Sequence, residues 1–412
     1  MKKDLDQLMQ KYDIDVLLVT GAAQHNPAMV YLTGGGHITG ADLIKKRGSD
    51  PVLFCGAMER EEAMRTGIKT IVYSRYPLDE RMKLAEGNSD RAAALRYKMM
   101  FADLGIQSGN VAIYGEGDVG SFYTLFSRVE EEMPGLNFRG FLQDELLMTA
   151  MMTKDQEEIE RVRRMGKITT EVVAKTADFL TGQKTKDGML VHSDGTPVTI
   201  GEVKGLINLW LAERNAENPE GTIFAQGHDA GVPHSTGTNS AAIKLGEPIV
   251  YDIFPCEAGG GYYYDFTRTW CLGFASDAMQ KLYDDVYTVY RAMAAELKVN
   301  APYSHYQVRT CEMFEKMGHP TIMNTPATEN GYVHSLGHGV GLRIHEKPSA
   351  SVAMSSPSDI LAPGVVFAME PGLYYPEKGM GVRIEDTFTV DANGRFETLA
   401  EYPKDLILPI RQ

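Results

Sequence analysis

The sequence predicts two domains, an α/β domain over residues 1–151 and an α+β domain over residues 152–412. In the first part, short apolar runs alternate with helical patterns, which is typical of an α/β domain. Near Thr153 an amphipathic helix begins, and the remainder of the chain is rich in short strands and in glycine. The 412 residues are enough for two or three domains of ordinary size.

The composition indicates a globular protein, with 43% hydrophobic and 23% charged residues. A formal net charge of −14 disfavours binding to nucleic acid and to anionic membranes. No run approaches the ~18 apolar residues of a membrane span, and the charged start lacks the apolar core of a signal peptide. Four scattered cysteines without a CxxC pair indicate free thiols. We therefore predict a cytoplasmic protein that binds neither nucleic acid nor membranes.

In the first domain, apolar runs and helical spacing predict the individual elements. The predicted strands are Val16–Val19, Val52–Phe54, Thr70–Tyr73 and Val111–Tyr114, and the predicted helices are Asp4–Lys11, Met58–Thr66 and Arg91–Leu104. The run from Gly115 to Gly120 also fits the GxGxxG pattern of dinucleotide-binding proteins. We interpret it as a turn, because Glu116 and Asp118 would repel a pyrophosphate and no clear βαβ unit follows.

The second domain begins with a helix for which Thr153–Gln156 supplies a capping-box pattern, followed by apolar residues at helical spacing from Ile159 onward. Two further helices are predicted over Ile200–Glu213 and Ser276–Lys298. Between the first two helices, Gly188–Ile200 contains the turn sequence HSDGTP, which predicts a surface hairpin or a lid-like insertion.

Two segments of the second domain resemble each other, each being a strand, a Gly-rich loop and a returning strand with an acid on each arm. The acids are Asp252 and Asp265 in one segment and Glu370 and Glu385 in the other. A buried carboxylate is costly unless positive charge or several donors meet it. A single such acid would be explained by a salt bridge or a turn cap. Four in two matching hairpins require concentrated positive charge, which Arg268 and Arg383 alone cannot easily supply.

Oxygen-rich sites of this kind suit manganese, magnesium or iron. The segment HSLGHGVGLRIHE adds three histidines within twelve residues, His334, His338 and His345, in a Gly-rich stretch that allows close backbone approach to a ligand. Strand alternation places Arg383, Glu385 and Thr387 on one face, so Arg383 could orient Glu385 or meet a substrate carboxylate. Two metals ~3.5–4 Å apart, bridged by carboxylates, would generate hydroxide and polarise a carbonyl, which describes hydrolysis of an amide.

The motifs DIFP…GYYYDFTRT, HSLGHGVGLRIHE, MEPGLYY and GVRIEDT resemble those of the pita-bread metallopeptidases, which include aminopeptidase P, prolidase and methionine aminopeptidase. The resemblance covers the chain from about residue 153 to its end. The first domain is similar to the creatinase-type N-terminal domain, as in IDVLLVTG and MVYLTGG. The implied fold is a creatinase-type α/β domain followed by a pita-bread catalytic domain. Because methionine aminopeptidase normally lacks the first domain, the implied activity is cleavage of the Xaa-Pro bond, as by aminopeptidase P or prolidase.

The resemblance also implies roles for individual residues. The five implied metal ligands are Asp252, Asp265, His338, Glu370 and Glu385, with Asp265 and Glu385 bridging two divalent ions. Manganese is the first expectation, with cobalt or zinc as substitutes. Glu370 would also handle the proton of the attacking hydroxide. His345 and His234 would act as catalytic residues near the substrate, and His334 and Arg383 would contact the substrate or support the ligands. A proline-containing peptide substrate and a homodimer are further expectations.

The chain departs from the family pattern at the first ligand. Asp252 is followed by Ile-Phe-Pro where members usually have Asp-x-Gly, and the spacing to Asp265 is 13 positions where 11 is usual. The hairpin tip Gly259–Gly261 can absorb the additional residues. Two alternatives belong to other classes: metal-free creatinase-like C–N hydrolysis, and a pita-bread domain that binds proteins without catalysis. The intact ligand set argues against both.

Overall fold

The computed structural model describes residues 4–142 and 144–411. The chain forms two compact units, one comprising Met1–Met151 together with Gly259–Gly261, and the other comprising Met152–Ala258 and Tyr262–Gln412. Within the described residues, no helix has both the length and the apolar character required to cross a bilayer.

The first unit contains one mixed six-stranded sheet, in the order β4-β3-β2-β1-β5-β6. Its strands are β1 Val16–Gly21, β2 Ala41–Lys46, β3 Val52–Cys55, β4 Lys69–Val72, β5 Gly109–Gly115 and β6 Leu136–Arg139. The helices are α1 Leu5–Lys11, α2 Pro27–Thr33, α3 Arg60–Arg65, α4 Leu78–Leu84, α5 Ser89–Asp103, α6 Val119–Glu132 and α7 Leu147–Met152. The last residue of α7 is the first residue of the second unit. The core includes Leu18, Phe54, Tyr97 and Phe101.

The four predicted strands and three predicted helices of this unit are confirmed, with shifted ends. Tyr73, predicted to end a strand, instead begins a short 3-10 helix. Strands β2 and β6 were missed because each lacks a clear apolar run flanked by turn residues. The run from Gly115 leads from β5 into α6, and Asp118 caps that helix by accepting from the Ser121 amide at 2.8 Å. The anion position at this helix terminus is therefore filled by the chain's own carboxylate.

The second unit contains a four-stranded sheet in the order β10-β11-β13-β21, a five-stranded sheet in the order β15-β14-β16-β19-β20 and three two-stranded pairs. The strands are β7 Lys184–Lys186, β8 Met189–Val191, β9 Ala216–Glu217, β10 Thr222–Gln226, β11 Pro248–Ile253, β12 Cys256–Glu257, β13 Phe266–Leu272, β14 His338–Gly339, β15 Glu346–Ser349, β16 Val366–Met369, β17 Gly372–Tyr375, β18 Met380–Arg383, β19 Asp386–Val390, β20 Phe396–Thr398 and β21 Ile407–Leu408. The helices are α8 Gln156–Thr181, α9 Ile200–Ala212, α10 Asp277–Glu296 and α11 Tyr303–Lys316.

The N-cap predicted for helix α8 was Thr153, whereas the observed N-cap is Asp155, two residues later. The capping box is formed by Asp155 and Glu158, each side chain accepting from the other's backbone amide. Thr153 cannot cap the helix because it forms a β-bridge with Val365. The helix itself and its apolar face, with Ile159, Val162 and Met165 buried, are as predicted.

The predicted surface insertion over Gly188–Ile200 is anchored to the fold. The hairpin is β7–β8, which turns at Asp187 and Gly188, both at positive φ. The following segment is joined to residues 241–243 by backbone hydrogen bonds, for example Leu190 N to Ile243 O at 2.8 Å. Leu190 and Val198 are fully buried. This segment is therefore a fixed part of the unit and no free lid.

The four cysteines are buried and, as far as the described residues show, unbonded to one another. Burial raises the pKa of the Cys55 thiol, and raises that of Cys256 and Cys271 to about 12 and that of Cys311 to about 11. The prediction of free thiols is confirmed.

Candidate metal centre

Asp252 and Asp265 lie on one antiparallel hairpin of the second unit. In the β11–β13 register Asp252 is opposite Thr267, and Asp265 directly precedes β13. The neighbours of Asp252 on β11, Tyr251 and Ile253, are fully buried, so the strand carries its acid into an apolar environment. Asp252 is 7% exposed and Asp265 is 4% exposed, counted over the whole residue. Both predicted acids are therefore buried.

Glu370 and Glu385 come from the second hairpin, which pairs β16 with β19 in antiparallel register. Glu370 follows the last residue of β16, and Glu385 directly precedes β19. Thr267 joins this hairpin to the first one. Its carbonyl accepts from the Glu385 amide at 3.1 Å, and its hydroxyl donates to Glu385 Oε2 at 2.6 Å. One threonine thus fixes both the backbone and the carboxylate of Glu385.

His338 completes the group of acids. Its Nε2 lies 3.5 Å from Asp265 Oδ2 and 3.6 Å from Glu370 Oε1. Ligand atoms of Asp265, His338 and Glu385 all lie within 4.8 Å of one another. The His338 Nδ1 lies 3.0 Å from the Gly339 carbonyl, which assigns the proton to Nδ1 and leaves the Nε2 lone pair toward the acids. Burial, together with His345, lowers its pKa to about 3, so the ring is neutral at physiological pH.

The four carboxylates act strongly on one another. Burial raises the pKa of Asp265 well above its usual range, and the charges of Asp252 and Glu370 add to the effect. The pKa of Glu385 is raised in the same way, by burial and then by Asp265, Glu370 and Asp252. Burial raises the pKa of Glu370 to about 8, with Arg383 opposing the change and Asp252 adding to it. The site therefore contains more carboxyl groups than cationic side chains.

Two buried oxygen atoms test whether cations fit here. Across residues 4–142 and 144–411, no hydrogen-bond partner meets Oδ1 of Asp252 or Oε1 of Glu385. Buried polar atoms are normally paired, and an unpaired carboxylate oxygen is especially costly. Hard divalent cations prefer carboxylate oxygens, and an imidazole nitrogen beside them suits transition metals. The donor set therefore fits divalent metal ions.

Arg383 reaches two of the four acids, Asp252 directly and Glu385 through Thr267. The strand breaks at Ile384, so Arg383 belongs to β18, which pairs with β17, whereas Asp386 starts β19. The guanidinium bonds to Asp252, with Nη2 2.5 Å from Oδ2, and Nη1 donates to the Tyr374 hydroxyl at 2.8 Å. Its Nε approaches the Thr267 hydroxyl at 3.3 Å. The same Thr267 hydroxyl donates to Glu385 Oε2, so Arg383 reaches Glu385 through Thr267. The predicted role of Arg383, to orient Glu385 or to meet a substrate carboxylate, stays a prediction.

Arg268 is also committed elsewhere. It forms a fully buried ion pair with Asp386, with Nη2 2.8 Å from Oδ1, and its Nη1 donates to the carbonyl oxygens of Thr267 and Glu385. It therefore supports the backbone behind the acids and offers no charge to the carboxylates of the centre.

The remaining three histidines surround the same centre. The His334 Nε2 is 2.8 Å from the Tyr374 hydroxyl, and burial, Arg383 and His234 lower its pKa to about 3. The His345 ring packs against His338 with centroids 4.3 Å apart, and this residue is exposed at the surface. His234 is exposed too, and it directly follows Pro233, whose carbonyl accepts from Arg383 at 3.3 Å.

Sequence reasoning missed several residues that hold this centre together. Tyr374 links His334 to Arg383, and Gln307 accepts through Oε1 from the Leu336 amide at 2.5 Å and from the Tyr332 hydroxyl at 2.9 Å. Gln307 lies on helix α11, which was not predicted. The tyrosine pair in MEPGLYY was a signal for Tyr374, because the hydroxyl of a buried tyrosine usually finds a hydrogen-bond partner.

Residues 160–392, more than half of the chain, match the sequence profile of metallopeptidase family M24. The chain belongs to metallopeptidase family M24. This M24 metallopeptidase is 24% identical over 409 residues to the Xaa-Pro dipeptidase of Pyrococcus horikoshii, with 98% of each chain covered.

Solved structures show the same fold as this M24 metallopeptidase. The crystal structure of a dipeptidase from Pyrococcus horikoshii matches with a TM-score of 0.74 and 22% identity, covering 99% of both chains. An X-Pro aminopeptidase from Thermotoga maritima matches with a TM-score of 0.72 and 21% identity, covering 98% of this chain and 100% of the other. The predicted α/β domain followed by a pita-bread domain is confirmed.

Proposed function

We propose that this M24 metallopeptidase is a dinuclear exopeptidase that hydrolyses the Xaa-Pro bond of peptides. The observation that carries the proposal is the buried cluster of Asp265, His338 and Glu385, whose ligand atoms lie within 4.8 Å of one another. Glu370 lies beside His338, and within the described structure one carboxylate oxygen each of Asp252 and Glu385 has no hydrogen-bond partner. A lone charge pair would not need so many carboxylates, and the single guanidinium of Arg383 already bonds to Asp252.

In the proposed assignment, two divalent ions would be held by the carboxylates Asp252, Asp265, Glu370 and Glu385 and by His338. When bound, the cations polarise the scissile carbonyl and lower the pKa of the attacking water. The hydrogen bond from Thr267 occupies Oε2 of Glu385 and keeps the carboxylate in one orientation. The Nδ1 contact of His338 with Gly339 holds that ring in the tautomer that offers Nε2 as a ligand atom.

Glu370 is the residue that we assign to proton transfer. It follows strand β16 and its side chain is partly accessible at 16%, so it can reach both the centre and the substrate. As a carboxylate it can take the proton released by the attacking water and give it to the leaving nitrogen. This nitrogen is the imide nitrogen of proline, which lacks a hydrogen before cleavage and must gain one.

His345 and His234 are assigned to the substrate side of the centre, because both are exposed, whereas His338, on which the His345 ring packs, is buried. His345 would contact the substrate near the scissile bond. His334 and Arg383 share the Tyr374 hydroxyl, so they would hold the wall of the site or meet the substrate through a common network.

Cleavage before proline is supported by relatives that are named Xaa-Pro dipeptidase and X-Pro aminopeptidase. The proposed native metal is manganese, with cobalt or zinc able to replace it. A cytoplasmic homodimer is part of the same proposal, with a proline-containing peptide as substrate.

The test is product analysis by mass spectrometry of manganese-loaded protein with Xaa-Pro and Xaa-Pro-Yaa peptides, beside a chelated control. Cleavage of dipeptides alone supports the dipeptidase form, and cleavage of the longer peptides supports the aminopeptidase form. Cleavage that persists in the chelated sample overturns the metal assignment and favours creatinase-like chemistry. Failure to cleave either peptide overturns the proposed substrate and favours another amide or a binding role.

A further inference from the structure

A buried ion pair lies close to the centre without belonging to it. The Lys154 Nζ is 2.6 Å from Glu346 Oε2, and the two side chains are 2% and 0% exposed. The residues are far apart in sequence, since Lys154 lies two residues before helix α8 and Glu346 is at the start of β15. Burying two charges is expensive, so such a pair is weak evidence for stability by itself. Its other contacts therefore indicate its role.

The second oxygen of Glu346 holds a turn. Oε1 accepts from the backbone amides of Leu342 at 2.7 Å and Arg343 at 3.1 Å. Gly341 leaves room for the carboxylate, since a Cβ at this position would lie 2.2 Å from Glu346 Oε2. The turn connects His338 to His345, which immediately precedes Glu346.

Lys154 connects this turn to a third part of the centre. Its amide donates to the Gly364 carbonyl at 2.7 Å, and the preceding Thr153 forms a β-bridge with Val365. Strand β16 begins at the next residue, Val366, and leads to Glu370. The backbone of Lys154 is thus attached to the strand of Glu370, and its side chain is attached through Glu346 to the turn between the histidines.

We propose that Lys154 and Glu346 are positioning residues that hold His345 in place beside His338, at the 4.3 Å ring separation seen here. The inference rests on the proposed function only for its effect on turnover, since the effect on the turn is independent of any substrate. The Oε1 contacts with the two amides carry the effect, and Lys154 keeps the carboxylate in position for them.

Two double variants separate this role from simple filling of space. Lys154→Met with Glu346→Gln retains a side-chain oxygen for the two amides, whereas Lys154→Met with Glu346→Met removes it. Both remove the buried charges, and replacing a buried ion pair by apolar side chains of similar volume is often neutral for stability. Gly341→Ala is a third variant, which keeps both charges and displaces the carboxylate by steric contact.

The first readout is hydrogen exchange, followed by mass spectrometry, of a peptide covering residues 340–346 in chelated protein. The second is kcat and KM for the peptide cleaved by the manganese-loaded protein. We expect faster exchange in this peptide for Gly341→Ala and for Lys154→Met with Glu346→Met (the Met/Met variant). In both, kcat should fall by roughly 10-fold or more with KM within about 3-fold of wild type, because small displacements near the chemistry reduce kcat. Lys154→Met with Glu346→Gln (the Met/Gln variant) should keep kcat within about 3-fold of the wild-type value.

Ile207→Ala, a fully buried position on helix α9, is the control for loss of stability alone. It should lower Tm and leave both readouts unchanged. Equal exchange and equal kcat in the Met/Met and Met/Gln variants would overturn the proposal. If the protein cleaves no Xaa-Pro peptide, faster exchange in Met/Met or Gly341→Ala still supports the positioning role, and unchanged exchange in both overturns it.

Discussion

Arg383 forms its ion pair with Asp252, on a strand of the other hairpin, although Glu385 is only two residues away in sequence. The two side chains meet because β18 leaves the line of β19 at Ile384, which brings the guanidinium over β11. Both residues are buried, at 2% and 7% exposed. Arg383 thus supplies permanent positive charge to a site where four carboxylates are close together.

Substituting Arg383 by Met should destabilise the chelated protein strongly. Removing one partner of a buried pair leaves the other charge uncompensated, which typically costs about 3–5 kcal/mol in the free energy of unfolding. Chemical denaturation of the variant and wild type in chelator measures the loss. The matched control is Arg309→Met, which removes a more exposed pair with Glu296 and should cost much less stability. Equal losses for both variants would contradict the prediction.

Glu385→Ala should abolish peptidase activity and reduce the metal content of a protein that remains folded. Glu385 would be one of the five ligands, so its loss should weaken metal binding, and Asp252→Ala should also abolish activity. Metal analysis after gel filtration, circular dichroism and peptide cleavage measure the three properties. The control is Glu397→Ala, a glutamate that pairs with Arg163 at the surface. A fully active Glu385→Ala protein would disprove the site.

The chelated protein should become less stable as the pH rises from about 4.5 to 8. In this window the folded chain holds protons on carboxyl groups whose pKa is raised, including Glu370 at about 8, which the unfolded chain releases near pH 4.3. The unfolded state then binds fewer protons, so the free energy of unfolding falls with rising pH. Thermal unfolding measured across this range should show that stability declines less steeply with pH in Glu370→Gln than in the wild type. The same slope in both proteins would show that Glu370 is not responsible.

His345→Ala should lower kcat/KM by about 10²-fold or more while leaving the metal content unchanged. The ring is exposed and packs on His338 without lying among the acids, and a positioned acid–base or polar contact typically contributes at least this factor. Steady-state kinetics with parallel metal analysis measure both quantities. His192→Ala, which removes a histidine paired with Glu202 at the surface, is the control and should change neither. Loss of metal in His345→Ala would instead assign this residue to the ligand set.

The sequence predicted the convergence of the acids because antiparallel pairing follows from residue spacing. Asp252 and Asp265, 13 positions apart on the two arms of one hairpin, lie close together at the loop end of its paired strands, and their apolar neighbours indicate that both are buried. The structure brings the acids of both hairpins together with His338. Their assignment as ligands remains a prediction until metal is measured.

Contacts between distant segments were not predictable in the same way. The ion pair of Arg383 with Asp252 depends on a break between β18 and β19 that alternation along one strand does not reveal. Lys154 and Glu346 meet because the segment before α8 runs beside Gly364 and Val365. Such pairs are decided by the packing of whole elements, whereas a strand or a helical face is encoded within a short stretch of sequence.

The burial of Cys55, Cys256, Cys271 and Cys311 has a practical consequence for handling the protein. Thiolates are the reactive form, and raised pKa values keep these groups protonated at neutral pH. The protein can therefore be purified and stored without dithiothreitol or mercaptoethanol. Because such reductants bind manganese, cobalt and zinc themselves, their omission allows the affinity of the carboxylate centre for each ion to be titrated directly.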